Sequence, residues 1–222
     1  MIRKQEDNYR HKGLRQKLTD LIKEKGISDE NVLAAINSIP RHFFLSPEME
    51  RYAYEDSALN IGEGQTISQP YTVAFQSQLL QVKPGHKILE IGTGSMYQAT
   101  VLAELKANVY TIERQKSLFA NTKFFPLKGK YPSIKFFYGD GFEGLPTFAP
   151  FDRVIITAGA PEIPMKLVEQ MKINGIMVIP VDEGEGQRML RITKMENGDL
   201  NEEAFDMFSF VPMLKGVEKG KL

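Results

Sequence analysis

Hydrophobic and polar residues follow two different patterns along the chain. Over residues 1–58 the apolar side chains recur at helical spacing, as at Leu14 and Leu18, and they predict helices. Residues 59–70 are rich in Gly, Gln, Ser and Thr, which predicts a loop, and the pattern over 73–82 predicts a further helix. The first part of the chain is therefore expected to be helical, with one long polar loop.

From residue 84 onward, short apolar runs alternate with helical patterns. The runs that predict strands are 87–91, 109–113, 134–138, 153–157 and 176–181. The helical patterns between them are 98–105, 115–125 and 164–171. Strands that alternate with helices form βαβ units, so we expect a parallel sheet covered on both faces. Segments 189–195 and 204–211 flank Asn197-Gly198, a strong hairpin signal, so the sheet should end in an antiparallel pair.

Composition and charge then exclude several classes of function. The 222 residues include 28 Lys and Arg against 28 Asp and Glu, a balance that argues against general binding to nucleic acid. The absence of cysteine excludes disulfides, thiolate metal sites and a cysteine nucleophile. His11, His42 and His86 are widely spaced, so we expect no metal site and no Ser–His–Asp triad. Without a signal peptide or a membrane-spanning run, a cytoplasmic protein is expected.

The first predicted strand runs into a glycine loop, Lys87-Ile-Leu-Glu-Ile-Gly-Thr-Gly-Ser-Met96. A strand, a glycine loop and a helix in this order bring backbone N–H groups and a helix N-terminus to a ligand. A dinucleotide site would have a third glycine where this chain has Tyr97. Glu90, two residues before Gly92, suits a cation better than a pyrophosphate. The loop therefore favours S-adenosylmethionine over NAD.

Two further acids end the next two predicted strands. Glu113 lies where an acid accepts hydrogen bonds from both ribose hydroxyls of a nucleoside, and Asp140 lies within Gly139-Asp-Gly141, where the turn can bring it to an adenine amino group. Taken singly, each acid is explained equally well as a solvated strand end or an Asx turn. Three acids at the carboxyl ends of successive strands point to one ligand site, because ligands of open α/β sheets bind at that edge.

The chain closely resembles the protein-L-isoaspartate O-methyltransferase family from about residue 39 to residue 212. The matching segments are Ile39-Pro-Arg-His-Phe-Phe44, Ala53-Tyr-Glu-Asp56, Ile61-Gly-Glu-Gly-Gln-Thr-Ile-Ser-Gln-Pro70, Leu89-Glu-Ile-Gly-Thr-Gly-Ser95, Gly139-Asp-Gly141, Ala149-Pro-Phe-Asp152 and Phe210-Val-Pro212. The run Gly-Gln-Thr-Ile-Ser-Gln-Pro is the specific one, whereas the glycine loop and Gly-Asp-Gly are shared by many methyltransferases.

The resemblance implies a Rossmann-like α/β fold, a mostly parallel seven-stranded sheet with a C-terminal antiparallel pair and extra N-terminal helices. It implies S-adenosylmethionine as cofactor and S-adenosylhomocysteine as product. The implied cofactor-binding residues are Glu90, Gly92, Thr93, Gly94, Glu113, Asp140 and Gly141. The implied substrate-binding residues are Thr66, Ile67, Ser68, Val211 and Pro212, with Ser68 as the active-site serine.

The implied reaction is methylation of the α-carboxylate of L-isoaspartyl residues in damaged proteins and peptides, with D-aspartyl residues left open as a second class. A carboxylate is ionised at neutral pH and needs no general base, so Ser68 is expected to orient the substrate. Methylation of a small-molecule carboxylate and a noncatalytic cofactor-binding module remain alternatives.

We expect a single methyltransferase domain, without membrane or nucleic-acid partners, that works as a monomer. It is expected to have four regions. Residues 1–58 form an N-terminal helical extension, and residues 59–83 form an active-site loop and helix. Residues 84–182 form a cofactor-binding core, and residues 183–222 form C-terminal strands with a tail.

One position departs from the family pattern, because Met96 stands where glycine is usual. A left-handed conformation there would cost a residue with a Cβ atom roughly 1–2 kcal/mol. The favoured interpretation is that Met96 begins the helix with ordinary dihedral angles.

Overall fold

The computed structural model describes residues 6–218. Its α-helices are α1 (Tyr9–Glu24), α2 (Glu30–Ser38), α3 (Pro70–Leu80), α4 (Tyr97–Glu104), α5 (Lys116–Asn121) and α6 (Met165–Glu169). Its strands are β1 (Leu59–Gly62), β2 (Gln65–Ile67), β3 (Lys87–Ile91), β4 (Asn108–Glu113), β5 (Ile134–Tyr138), β6 (Phe151–Ile156), β7 (Met171–Asp182), β8 (Gln187–Lys194) and β9 (Leu200–Phe208). The last predicted tail residues, 219–222, lie outside the described part.

Seven strands form one sheet in the order β5-β4-β3-β6-β7-β8-β9. The first five in this order are parallel, and β8 and β9 each pair antiparallel with the strand before them. The predicted Rossmann-like sheet with its C-terminal antiparallel pair is confirmed. Because the chain runs from β3 to one side and later returns to the other, the strand order reverses beside β3. Ligands of open α/β sheets bind at the carboxyl end of such a switch point.

The sheet is buried on both faces, as the continuous apolar strands require. One face carries a core of β-strand residues such as Ile88 and Val178 that also includes Ile22, Ile36 and Val73 from the helices α1, α2 and α3. The other face packs Leu89, Val154 and Met177 against α6. The N-terminal helices thus belong to the same core as the sheet.

The helix starts follow local capping chemistry. Asp29 is the N-cap of α2, and its side chain accepts the backbone N–H groups of Asn31 at 2.9 Å and Val32 at 3.2 Å. Such a cap stabilises a helix by about 1 kcal/mol. Pro70 occupies the first turn of α3, where a missing N–H group costs nothing. Pro70 therefore fixes the start of α3 two residues after Ser68.

Several predicted segments differ from the structure. The strand predicted over 176–181 begins five residues earlier, as β7, and the strand predicted over 204–211 lies three to four residues earlier, as β9. The loop predicted over 59–70 contains a small antiparallel hairpin, β1–β2. The helix predicted over 115–125 is wrong in extent, because α5 gives way to a 3-10 turn at Thr122–Phe124. The helix predicted over 164–171 ends before Met171, which already belongs to β7.

Candidate active site

One cavity of about 880 Å³ opens at the carboxyl end of the sheet, beside β3 and β4. It contains most of the site residues predicted from the sequence: Thr66, Ile67, Ser68, Gly92, Thr93, Gly94, Glu113, Gly141, Val211 and Pro212. Glu90 and Asp140 are not among the lining residues. The predicted cofactor loop and the predicted active-site serine therefore face the same continuous space, and two of the three predicted acids do not line it.

The glycines of the loop are required by geometry. Gly92 has φ of 99°, and a Cβ atom there would come within 2.5 Å of the Thr157 hydroxyl oxygen. That hydroxyl donates to the carbonyls of Ile91 and Gly92 at 2.9 Å and ties the loop to the end of β6. At Gly141 a Cβ atom would come within 2.5 Å of Ile91 Cγ2. Both glycines thus let the backbone pack directly against neighbouring side chains at the carboxyl edge of the sheet.

Met96 adopts the left-handed conformation, with φ of 73° and ψ of 3°. The expectation of ordinary helical dihedral angles at this residue is wrong. The Met96 carbonyl accepts the backbone N–H and the side-chain hydroxyl of Thr100, so the residue serves as the N-cap position of α4. Its side chain is buried, and this packing offsets part of the cost of the strained backbone.

Glu113 lines the cavity at the end of β4. Its carboxylate accepts the backbone N–H of Gly94 at 2.9 Å and that of Gln115 at 2.8 Å. Burial raises the pKa of Glu113, although these N–H groups act in the opposite direction. The carboxylate couples the glycine loop to the end of β4, and it lies where the sequence predicts contact with a ribose.

Glu90 is fully buried in β3, next to the glycine loop. Neither carboxyl oxygen has a hydrogen-bond partner among residues 6–218. Burial raises the pKa of Glu90 to about 8; the nearby Thr111 hydroxyl opposes this rise, and the charge of Glu113 adds to it. A cation bound close to this buried carboxyl group would favour its ionised form. The side chain therefore fits a positively charged ligand at the neighbouring loop.

Asp140 contacts the C-terminal segment. Its Oδ1 accepts the backbone N–H of Phe142 at 2.9 Å, and its Oδ2 accepts that of Gly216 at 2.6 Å. Arg114, at the end of β4, donates to the Gly216 carbonyl at 3.1 Å, and Tyr138 donates to the Glu218 carbonyl at 2.9 Å. Residues 213–218 therefore lie across the ends of β4 and β5. The predicted contact of Asp140 with adenine stays a prediction.

Ser68 directly follows β2 and is half-buried at the cavity wall. The residues after it are fixed by Asp56, which accepts the backbone N–H of Tyr71 at 2.8 Å and the side-chain amide of Gln69 at 3.0 Å. Lys25 donates to the same carboxylate at 2.6 Å. Val211, which also lines the cavity, is held because its carbonyl accepts the N–H of Gly159 at 2.8 Å.

Two of the three histidines, His11 and His42, lie together and do not line the cavity. His11 and His42 stack with ring centroids 3.9 Å apart, so the inference that the histidines are dispersed is wrong for this pair. Each of Asp7, His11 and His42 offers a ligand atom within 4.8 Å of the others. Both Asp7 oxygens accept from Arg15, and His42 Nδ1 lies 2.7 Å from the Tyr54 hydroxyl. These groups join α1 to the segment after α2.

Comparison with known proteins agrees with this geometry. The sequence profile of the family protein-L-isoaspartate (D-aspartate) O-methyltransferase matches residues 13–218. A protein-L-isoaspartate O-methyltransferase from Cytophaga hutchinsonii is 53% identical over 209 residues, which is 94% of each chain. One from Flavobacterium johnsoniae is 54% identical over 210 residues, covering 94% of this chain and 98% of that protein.

The chain belongs to the protein-L-isoaspartate (D-aspartate) O-methyltransferase family.

Solved structures of this family have the same fold. A Plasmodium falciparum structure assigned to the family, in complex with S-adenosyl-L-homocysteine, superposes with a TM-score of 0.78 at 26% identity, covering 91% of this chain and 99% of that one. A second protein-L-isoaspartate O-methyltransferase gives a TM-score of 0.79 at 28% identity, covering 89% of this chain and 65% of that one. The methyltransferase fold and the use of S-adenosylmethionine follow from this membership.

Several cavity residues were not identified from the sequence. Arg114, Phe208, Met213 and Leu214 line the cavity, but they lie in segments without a recognisable ligand pattern. The sequence does hold one usable signal near Ser68. Arg41 interrupts the otherwise apolar start of the run Ile39-Pro-Arg-His-Phe-Phe44, and a charge in such a run calls for a specific partner.

Across residues 6–218, the structure contains no helix with the length and apolar character needed to cross a membrane.

Proposed function

We propose that this chain methylates the α-carboxylate of L-isoaspartyl residues in damaged proteins and peptides, with Ser68 orienting the carboxylate. The observation that carries the proposal is the single cavity that joins the glycine loop, Glu113 and Ser68. A cofactor in the loop and a carboxylate at Ser68 would meet inside one space. The methyl group would then pass between two bound molecules without leaving the protein.

The cofactor half of the cavity fits S-adenosylmethionine. The backbone at Gly92 and Gly94 would approach the ligand, Glu113 would accept the ribose hydroxyls, and Glu90 would supply negative charge behind the loop. When bound, S-adenosylmethionine supplies an electrophilic methyl group on a cationic sulfur. The apolar part of the cavity wall would then exclude water, so that the substrate carboxylate loses part of its hydration shell near that methyl group.

In the part of the cavity at Ser68, the proposed reaction requires orientation of the substrate carboxylate and not proton transfer. The nucleophile is the substrate's own carboxylate, which is ionised at neutral pH. No histidine lies among the described residues that line the cavity. In the proposed step, the Ser68 hydroxyl and neighbouring backbone N–H groups donate hydrogen bonds to one carboxylate oxygen. The other oxygen is then aimed at the methyl group, and correct alignment accounts for the rate.

The test uses labelled S-adenosylmethionine with two peptides that differ only in an isoaspartyl or an aspartyl residue. We expect label on the isoaspartyl peptide alone. Ser68→Ala should lower kcat by about 10- to 100-fold because one positioned donor is lost. The dissociation constant of S-adenosylhomocysteine, measured by calorimetry, should stay within about threefold of the wild-type value.

Ser209→Ala is the matched control, since Ser209 lines the same cavity but follows β9 instead of β2, and the substitution should leave kcat unchanged. Equal turnover by wild type and Ser68→Ala would remove Ser68 from the mechanism. If neither peptide were labelled while the cofactor still bound, the isoaspartyl substrate would be wrong and a noncatalytic module would be favoured.

We also propose that the protein acts as a cytoplasmic monomer without nucleic-acid partners. The support is its balanced charge and its need to reach isoaspartyl sites on other proteins. Light scattering should give a mass near 25.1 kDa, and a mass twice as large would contradict the monomer.

A further inference from the structure

Arg41 is a fully buried cation directly behind Ser68. It begins the 3-10 turn Arg41–Phe44 and has 0% of its surface exposed. Its Nη2 donates to the Ser68 carbonyl at 2.9 Å and to the Ser57 carbonyl at 3.4 Å. The guanidinium lies 4.8 Å from the centroid of the Tyr97 ring. One side chain therefore contacts the backbone on both sides of the hairpin and the first residue of α4.

Burying the Arg41 side chain lowers the stability of the fold. Arg41 Nε and Nη1 have no hydrogen-bond partner within residues 6–218. Burial lowers the pKa of Arg41 to about 10, although Tyr97, Asp56 and Tyr54 act in the opposite direction, and the side chain stays charged at neutral pH. A buried charge with few partners destabilises a protein relative to an apolar side chain of the same size. Packing alone would therefore be served better by a hydrophobic residue at this position.

Arg41 holds the backbone of Ser68, and Asp56 holds the residues that follow Ser68. Asp56 binds the backbone N–H of Tyr71 and the side chain of Gln69, whereas Arg41 binds the carbonyl of Ser68 itself. Because Ser68 lies outside both β2 and α3, no ladder or helical hydrogen bond would otherwise hold that carbonyl. The contact from Arg41 thus determines how the peptide plane at Ser68 is turned.

We propose that Arg41 is a positioning residue that holds the Ser68 backbone in the orientation needed to align the substrate carboxylate. This inference rests on the proposed function of Ser68. Arg41 acts through Ser68 and does not itself line the cavity. Its positive charge, close behind the site, also favours the anionic carboxylate when that group leaves water.

The test combines Arg41→Lys and Arg41→Gln with Ser68→Ala. Arg41→Lys keeps the charge but not the planar fork, and Arg41→Gln keeps one amide donor while it removes the buried charge. We expect each variant to lower kcat on the isoaspartyl peptide by about 10- to 100-fold. The dissociation constant of S-adenosylhomocysteine should change by less than about threefold. In a Ser68→Ala background, Arg41→Gln should cost less than about threefold more.

Arg153 provides the matched control, because it is also a buried arginine that binds main-chain carbonyls. Its Nε donates to the Leu80 carbonyl at 2.7 Å, away from the cavity. Arg153→Lys and Arg153→Gln should change the unfolding temperature without a comparable loss of kcat. A structural role for Arg41 would instead make kcat follow the unfolding temperature in both sets of variants.

Three outcomes would overturn the proposal: unchanged kcat in folded Arg41→Gln, full additivity with Ser68→Ala, or an equal loss of kcat in the Arg153 variants. If Arg41→Lys does not fold, Arg41→Gln still decides, because it carries no buried charge. Wild-type protein is assayed beside the variants. Its failure to label the isoaspartyl peptide would refute the proposed function, which is a different result from failure of the Arg41 variants.

Discussion

At the scale of single residues, the glycine loop carries backbone strain at Met96. Met96 has a left-handed backbone, a conformation that favours glycine, and its buried side chain helps to hold it there. A residue with a Cβ atom in this conformation costs roughly 1–2 kcal/mol. The loop geometry is therefore imposed by the surrounding contacts and not by the preference of residue 96.

The strain at Met96 can be measured by comparing Met96→Ala with Met96→Gly. Both variants lose the buried side chain, so their difference reports the backbone. We expect Met96→Gly to be more stable than Met96→Ala by about 1 kcal/mol in urea unfolding. The control is Ala99→Gly inside α4, where glycine should destabilise by about 1 kcal/mol. If Met96→Ala is the more stable of the pair, residue 96 is not left-handed in solution.

Glu90 gives the enzyme a pH dependence that acts through stability. Burial raises its folded-state pKa to about 8 from an ordinary value of 4.5, so its contribution to stability is complete below pH 4.5 and is lost as pH rises toward 8. Relative to Glu90→Gln, which cannot titrate, wild type without ligand should lose up to about 1.4 kcal/mol per pH unit over this window. Urea unfolding from pH 5 to pH 9 tests this.

One result would contradict the prediction for Glu90. If the difference between wild type and Glu90→Gln is flat from pH 5 to pH 9, the carboxyl group is not held in a state that resists ionisation. A cation close to Glu90 would favour the ionised form, so S-adenosylmethionine should bind wild type more tightly as pH rises from 6 to 8. In Glu90→Gln that increase should be absent.

At the scale of elements, the sequence predicts best where the pattern is strongest. The strands β3, β4 and β5 lie within a residue of their predicted bounds because each is a short, buried, apolar run. The hairpin β1–β2 was predicted as loop because its strands are only four and three residues long and polar in part. Short exposed strands leave little periodicity to detect.

The same limit explains which parts of the candidate site were predicted. Gly92, Gly94 and Glu113 follow recognisable strands, and the chain's own order brings them to one edge. The contact between Asp140 and Gly216 spans 76 positions, and that between Arg41 and Ser68 spans 27. Neither pair has a pattern that marks it, because such contacts arise only when separate elements pack together.

At the scale of the whole molecule, the N-terminal helices and the sheet share one core. Ile22 and Ile36 from α1 and α2 belong to the same buried cluster as Ile88 and Val178 from the sheet. Because the helices and the sheet share this core, the helices cannot unfold without exposing buried residues of the sheet. We therefore predict that the full chain is a single domain that unfolds in one cooperative step, with a calorimetric enthalpy equal to the van't Hoff enthalpy.

Ile36→Ala is the variant that tests this cooperativity. Ile36 is fully buried in α2, and its truncation should destabilise by about 2–4 kcal/mol. If the molecule is one unit, scanning calorimetry should show the whole transition moved to lower temperature, still as one peak. S-adenosylhomocysteine at about 100 times its dissociation constant should stabilise the fold by about 2.7 kcal/mol and move that peak upward again, although Ile36 does not line the cavity. A low-temperature shoulder that appears in Ile36→Ala and does not respond to the ligand would instead make residues 1–58 a separate folding unit, and the proposed domain organisation would be wrong.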